Sequence, residues 1–136
     1  MRVFLDTNVV ASAVATRGIC DDILQLTLSE HELVLSEQVV AELRKALRKK
    51  FRVEVAVVDE LESFLRREAE VVSDAPALDI EVRDADDAAI VAQAVAAEAD
   101  VLVSGDQDLT ELAAPPLPIL TPRGFWNLLR APRNPG

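Results

Sequence analysis

The chain has 136 residues, half of them apolar, with a formal net charge of −10. That length suits one ordinary domain with a substantial core, and with 4% aromatic residues and no Tyr the core must be built from Val, Leu, Ile and Ala. A single Cys20 excludes an internal disulfide and a cysteine-rich zinc site, and no apolar run approaches the ~20 residues that span a bilayer.

Arg2–Leu5 reads as a short hydrophobic strand that stops at a carboxylate, Asp6, with Thr7 and Asn8 behind it. A short helix is predicted over Val9–Val14 and another over Asp21–Ser29, and Glu32–Leu35 reads as a second strand. Ser36 starts a helix through about Lys50. Helical spacing of Val57, Val58, Leu61, Phe64 and Leu65 predicts a further helix over Val53–Glu68. Val71–Val72 reads as a short strand, and Asp84 opens a helix through about Glu98. DVLVS, at Asp100–Ser104, is the strongest strand signal, and Asp108 reads as the cap of a short helix over Leu109–Ala113. Pro115, Pro116 and Pro118 mark a loop before a last strand at Ile119–Leu120. Thr121 and Pro122 then have the N-cap and N1 signature of a final helix, PRGFWNLLR. No repeat or Gly/Ser-rich linker divides the chain, so residues 1–130 are expected to form a single domain and 131–136 a disordered tail. The amino terminus lacks a basic region followed by an apolar segment and a small-residue cleavage site, which predicts a cytoplasmic protein with no membrane association.

Short buried strands alternating with helices imply an α/β fold with a central, mainly parallel sheet between helical layers. Sites in such folds form beyond the carboxyl ends of the strands. Asp6 follows the first strand and Asp106 the strongest, so neighbouring strands would bring two carboxylates to one edge. Each acid also has a structural reading. Asp6 can cap the helix behind it. Asp84 and Asp87 have capping-box spacing at a helix start, yet Asp87 has Ile90 and Val91 at i+3 and i+4 and leans over the buried face, whereas Asp86 leans toward Gln93. In SEQVVAELRKAL, Glu42 falls at the rim of the face formed by Val39, Val40, Leu43, Ala46 and Leu47, while Arg44 and Arg48 point to the opposite, solvated side. A carboxylate on that rim needs a partner or a use, and Lys45 along the helix is one partner available.

Acids converging on one edge repel unless a cation joins them. Oxygen ligands without a Cys or His cluster suit Mg²⁺ or Mn²⁺ rather than zinc. A chain this acidic is a poor phosphate binder on average, but all three lysines fall in RKALRKKFR, with Arg44, Arg48 and Arg52. An acidic chain with one basic patch can take a charged ligand there or through a metal. Lys45 and Lys49 follow Glu42 at one-turn intervals, where they would either guide phosphates or form a solvated basic face.

DTNVV, SEQVVAEL, DADDAAIVAQAVAAEADVLVSGDQDL and ILTPRGF occur in the order seen in PIN-domain ribonucleases, and the sequence resembles most the small VapC-like toxins of toxin–antitoxin pairs. The resemblance covers nearly the whole chain. It implies an α/β/α sandwich of four to five strands and a Mg²⁺- or Mn²⁺-dependent endoribonuclease acting on single-stranded RNA. Asp6, Glu42, Asp87 and Asp106 match the family's acidic positions in turn, with Asp6, Asp87 and Asp106 holding the cation. Glu42 would bind a second cation or orient and deprotonate the attacking water. Asp84 and Asp86 crowd the third position, where Asp87 fits the D-A-x-I-x-A run. Asn8, Ser104 and Asp108 match supporting polar residues. A cognate antitoxin and a homodimer are the partners this resemblance implies.

Other chemistries lack their residues. There is no Gly-rich GK[ST] loop and no G-x-S-x-G, and His31 is the only histidine. A phosphoacceptor receiver would need a late Lys, but none follows Lys50, and a D-x-D phosphatase is excluded by Asn8. The remaining alternatives are a PIN fold serving only as a binding module, or a housekeeping RNA-processing nuclease. Phe125, Trp126, Leu128 and Leu129 are expected to serve chiefly the core.

Overall fold

The computed structural model describes residues 1–73, 75, 76, 78 and 80–130; the tail expected over 131–136 lies outside the described residues. Among the described residues five strands form one sheet: β1 (Arg2–Leu5), β2 (Glu32–Ser36), β3 (Glu70–Val72), β4 (Val101–Val103) and β5 (Ile119–Leu120), in the order β3-β2-β1-β4-β5. Every neighbouring pair is parallel, so the sheet is wholly rather than mainly parallel. The helices are α1 (Thr7–Ala15), α2 (Ile19–Glu30), α3 (Glu37–Lys49), α4 (Val55–Glu68), α5 (Ala85–Ala96), α6 (Gln107–Thr110) and α7 (Pro122–Arg130).

The strands are uninterrupted apolar runs because both sheet faces are covered. Val3, Phe4, Leu5, Val34, Leu35, Leu102 and Val103 are fully buried, each contributing roughly 1.5–3 kcal/mol relative to exposure. α1 packs on α2 and α3, α2 on α7, and α3 on α4, while α5 lies against β2 and β4, giving an α/β/α sandwich. No helix among the described residues is long and apolar enough to cross a membrane.

The central strand carries the site because of its place in the order. After β1 the chain moves outward through β2 and β3, then crosses back to put β4 on the other side of β1. Register pairs Leu5 with Val103, and the Asp6 amide extends the ladder by donating to the Val103 carbonyl at 3.0 Å. The residues after β1 and β4 therefore meet at the point where the sheet changes winding direction. At the opposite edge, Arg2 joins Glu32 and Glu70 of two neighbouring strands and donates to the Ala97 carbonyl. One sheet edge is stitched shut while the other collects acids.

Several boundaries depart from the pattern in the sequence. α1 begins at Thr7, not Val9, because Asp6 itself is the N-cap, and α2 begins at Ile19, not Asp21. The short helix is Gln107–Thr110 rather than Leu109–Ala113; Asp106 caps it by accepting from the Asp108 amide at 2.9 Å, so Asp108 is not the cap. Arg44 does not point to open solvent. α4 lies over it, and its guanidinium meets Asp59 (2.8 Å) and Glu62 (3.0 Å). Arg66 extends this network with bonds to Glu37 at 2.7 Å from each of two nitrogens, binding α4 to α3. Phe125 is core, but Leu128 is exposed.

Candidate active site

Two helices, α3 and α5, supply the walls of the site. α3 begins where β2 stops, with the Ser36 hydroxyl accepting from the Val39 amide at 3.1 Å, and its helical turns carry Glu42, Lys45 and Lys49 along one side. α5 begins at Asp84, whose carboxylate accepts from the Asp86 amide at 2.8 Å. Asp84 is thus the cap and exposed Asp86 points away, while half-buried Asp87 turns inward. Asp6, Thr7, Asn8, Glu42, Lys45, Ala46, Lys49, Lys50, Asp87 and Asp106 line one open cleft of about 320 Å³.

Asp6 is at its floor, 7% exposed. Its Oδ1 accepts from the Thr7 amide (2.7 Å) and its Oδ2 from the Ser104 hydroxyl (2.8 Å). The Ser104 oxygen in turn accepts from the Asp106 amide at 3.0 Å. One buried hydroxyl therefore fixes both strand-end acids, and the capping role and the cleft role of Asp6 and Asp106 coexist in the same side chains. Glu42 does not pair with Lys45. Its Oε2 accepts from the Thr7 hydroxyl at 2.8 Å and its Oε1 from the Gln38 amide at 3.0 Å.

The electrostatics carry the mark of compressed like charges. Burial pushes the Asp6 carboxyl above the usual range, against the pull of the bonds from Ser104 and Thr7, and the nearby charges of Glu42 and Asp106 push the same way. Asp87 is pushed up to about 7, first by burial and then by its contact with the Asp106 carboxyl, with Asp84 and Asp6 adding to the effect. The arrangement favours a proton in the cleft, and a cation would compete with it. The donors are all oxygens, which fits Mg²⁺ or Mn²⁺. As they stand, no three His, Cys, Asp or Glu side chains among the described residues are arranged around a single ion position, so binding would draw the carboxylates inward.

Of the supporting residues expected from the sequence, Asn8 lines the cleft and Ser104 braces it from below. Asp108 is exposed, lies outside the cleft lining, and contributes its backbone amide rather than its carboxylate. Thr7, Gln38 and Lys50 were not singled out by the sequence. Thr7 sits inside the DTN run and Lys50 beside Lys49, so position alone could have drawn attention to both; Gln38 carried no comparable signal.

A PIN domain family model matches residues 2–108. Among solved structures, the fold is similar to VapBC2 from Rickettsia felis bound to a DNA fragment from its promoter, at a TM-score of 0.62 and 17% identity over 89% of this chain and 98% of that one. It is similar as well to FitAcB from Neisseria gonorrhoeae (TM-score 0.61, 18% identity, 89% and 98% covered). VapBC-1 from nontypeable Haemophilus influenzae gives a TM-score of 0.59 with 21% identity, covering 90% and 99%. The PIN domain endonuclease Utp24 is similar at a TM-score of 0.50 and 16% identity, over 88% of this chain and 84% of that one. Proteins of curated function yield no match. The family match takes in the β1 and β4 ends and all four cleft carboxylates, and on it the chain belongs to the PIN domain family.

Proposed function

We propose that the chain is a Mg²⁺- or Mn²⁺-dependent endoribonuclease that cuts single-stranded RNA in the cytoplasm, and that it is the toxin of a type II toxin–antitoxin pair. The observation that carries this reading is the gathering of Asp6, Glu42, Asp87 and Asp106 in one open cleft with three lysines along it. Membership of the PIN family and the similarity to an endonuclease support the reaction class. The likeness to VapBC and FitAcB structures supports a cognate antitoxin.

Asp6, Asp87 and Asp106 would hold the cation. When bound, it offsets charge on the phosphoryl oxygens and makes a bound water easier to deprotonate. Thr7 and Ser104 bond both Asp6 oxygens and limit how far this side chain would turn for its part. Glu42, held by Thr7 and Gln38, faces the cleft as a base for the attacking water or as a ligand for a second cation. Asn8, at the cleft wall, would orient a substrate oxygen. Lys45, Lys49 and Lys50 draw phosphates to this one face of an otherwise acidic molecule. A homodimer belongs to the same reading, and exposed Val55, Val57 and Phe64 of α4 and Leu128 of α7 are surfaces available to a second copy or an antitoxin.

The reading is tested with one labelled sequence offered as single-stranded RNA, duplex RNA and single-stranded DNA in Mn²⁺. Internal cutting of the single-stranded RNA alone is expected. Cutting of none contradicts the nuclease, and cutting of DNA corrects the substrate class. Growth arrest on expression in bacteria, relieved by the product of an adjacent small gene, tests the toxin assignment.

A further inference from the structure

Gln38 lies one turn before Glu42 on α3, and its amide is engaged in three directions. Nε2 donates to Glu42 Oε1 (3.0 Å) and to the main-chain carbonyl of Asp86 (3.2 Å), while Oε1 accepts from Gln93 Nε2 (2.7 Å). With the Thr7 hydroxyl on the other Glu42 oxygen, one line of bonds runs from α5 through α3 to α1.

The charge of Glu42 dictates the polarity of that line. An ionised carboxylate only accepts, so Gln38 must turn its NH₂ toward it. The Gln38 carbonyl then faces Gln93, which must answer with its own NH₂. Among the described residues Gln93 Oε1 is left buried with no partner, in a side chain 2% exposed. Turning both amides over would set the Gln38 carbonyl against the Glu42 carboxylate. Gln93 stands among Ile90, Val91, Ala92 and Ala94, where packing alone calls for an apolar residue. A buried unpaired carbonyl at such a position disfavours the fold, so its presence is accounted for by the cleft it serves.

We infer that Gln38 is a positioning residue of the cleft. It keeps Glu42 aimed into the cleft. By gripping Asp86, the neighbour of Asp87, and Gln93 two turns further on, it fixes the spacing between the wall that carries Glu42 and the wall that carries Asp87. The inference rests on the proposed reading of the cleft as a cation site.

The test is a double-mutant cycle of Gln38→Leu, Glu42→Gln and the pair, read by Mn²⁺ calorimetry and by circular dichroism of the metal-free proteins. Gln38→Leu is expected to weaken Mn²⁺ binding by about tenfold, as loss of a supporting partner does. In the Glu42→Gln background, where only its grip on Asp86 and Gln93 is left to lose, it should weaken binding by clearly less. Losses that simply add, or a Gln38→Leu protein that binds like wild type, overturn the inference while leaving the cation reading in place. Should Gln38→Leu fail to fold, Gln93→Met takes its place. It removes the donor that orients Gln38 and keeps the volume, and wild-type Mn²⁺ affinity in that variant overturns the inference. Wild-type protein that binds no Mn²⁺ overturns the cation reading, and the role of Gln38 falls with it.

Discussion

At 7% exposure Asp6 has given up most of its hydration, and the Thr7 amide and the Ser104 hydroxyl stand in for it. The neighbouring acids make this worse, so the ionised side chain is poorly suited to stability and well suited to a cation. Asp6→Asn is expected to abolish cleavage and yet melt, in EDTA, no lower than wild type; a large drop in melting temperature would mean that Asp6 serves the fold. Asp87 gives the pH dependence. Its folded-state pKa of about 7 stands above the ordinary 3.8, so between those values the folded protein keeps a proton that the unfolded chain has released. The stability linked to this group is therefore full below the unfolded value and is lost as the pH rises toward 7. In EDTA the melting temperature should fall across that range by an amount that Asp87→Asn removes. Mn²⁺ must displace the same proton, so its affinity should climb over the same interval; an affinity independent of pH would contradict the placement of Asp87 in the site.

α3 does two jobs with two faces. Its inner face packs Val39, Val40, Leu43 and Leu47, and its cleft edge carries Glu42, Lys45 and Lys49. α4 holds it in place, and the apolar contact matters more than the visible ion pairs. Leu65→Ala, at a fully buried position, should cost about 2–5 kcal/mol. Arg66→Ala breaks bonds to Glu37 and Glu62 in partly exposed surroundings, where solvent screens each pair to about 0.2–1 kcal/mol. Chemical denaturation of the two variants checks the ranking, and the reverse order would contradict it. The same helix shows what a sequence can disclose. Its amphipathic period put Glu42 on the rim of the buried face, and that is where it lies. It also put Arg44 in open solvent, because a period reports only one helix and α4 arrives from elsewhere in the chain. DVLVS was legible as a strand since a parallel strand buried on both faces is continuously apolar. That β4 borders β1 was a matter of topology, which no local pattern states. Thr7, Gln38 and Gln93 were silent for a related reason: they are neutral polar residues, and the bonds that link them across helices, Thr7 to Glu42 and Gln38 to Gln93, span 35 and 55 residues of chain.

For the molecule as a whole, the charge distribution decides where a polyanion can land. With a net charge of −10, most of the surface repels phosphates, and the three lysines of the chain all line the acidic cleft. Replacing Lys45, Lys49 and Lys50 with Gln should weaken RNA binding more at low salt than at high salt. It should also flatten the slope of log affinity against log salt by about 2, given about 0.7 per phosphate contact on a single strand. An unchanged slope would place the RNA elsewhere. The sheet order brings Asp6 and Asp106 together and α3 and α5 supply Glu42 and Asp87; the central proposal is that this cleft is a metal-dependent ribonuclease site. The most direct measurement is cleavage of a labelled single-stranded RNA in Mn²⁺, with and without EDTA, by wild-type protein and an identically purified Asp6→Asn. The account predicts cutting by the wild type that EDTA stops and that the variant lacks while retaining the wild-type circular dichroism spectrum. Equal cutting by the two proteins, or cutting that survives EDTA, would contradict it.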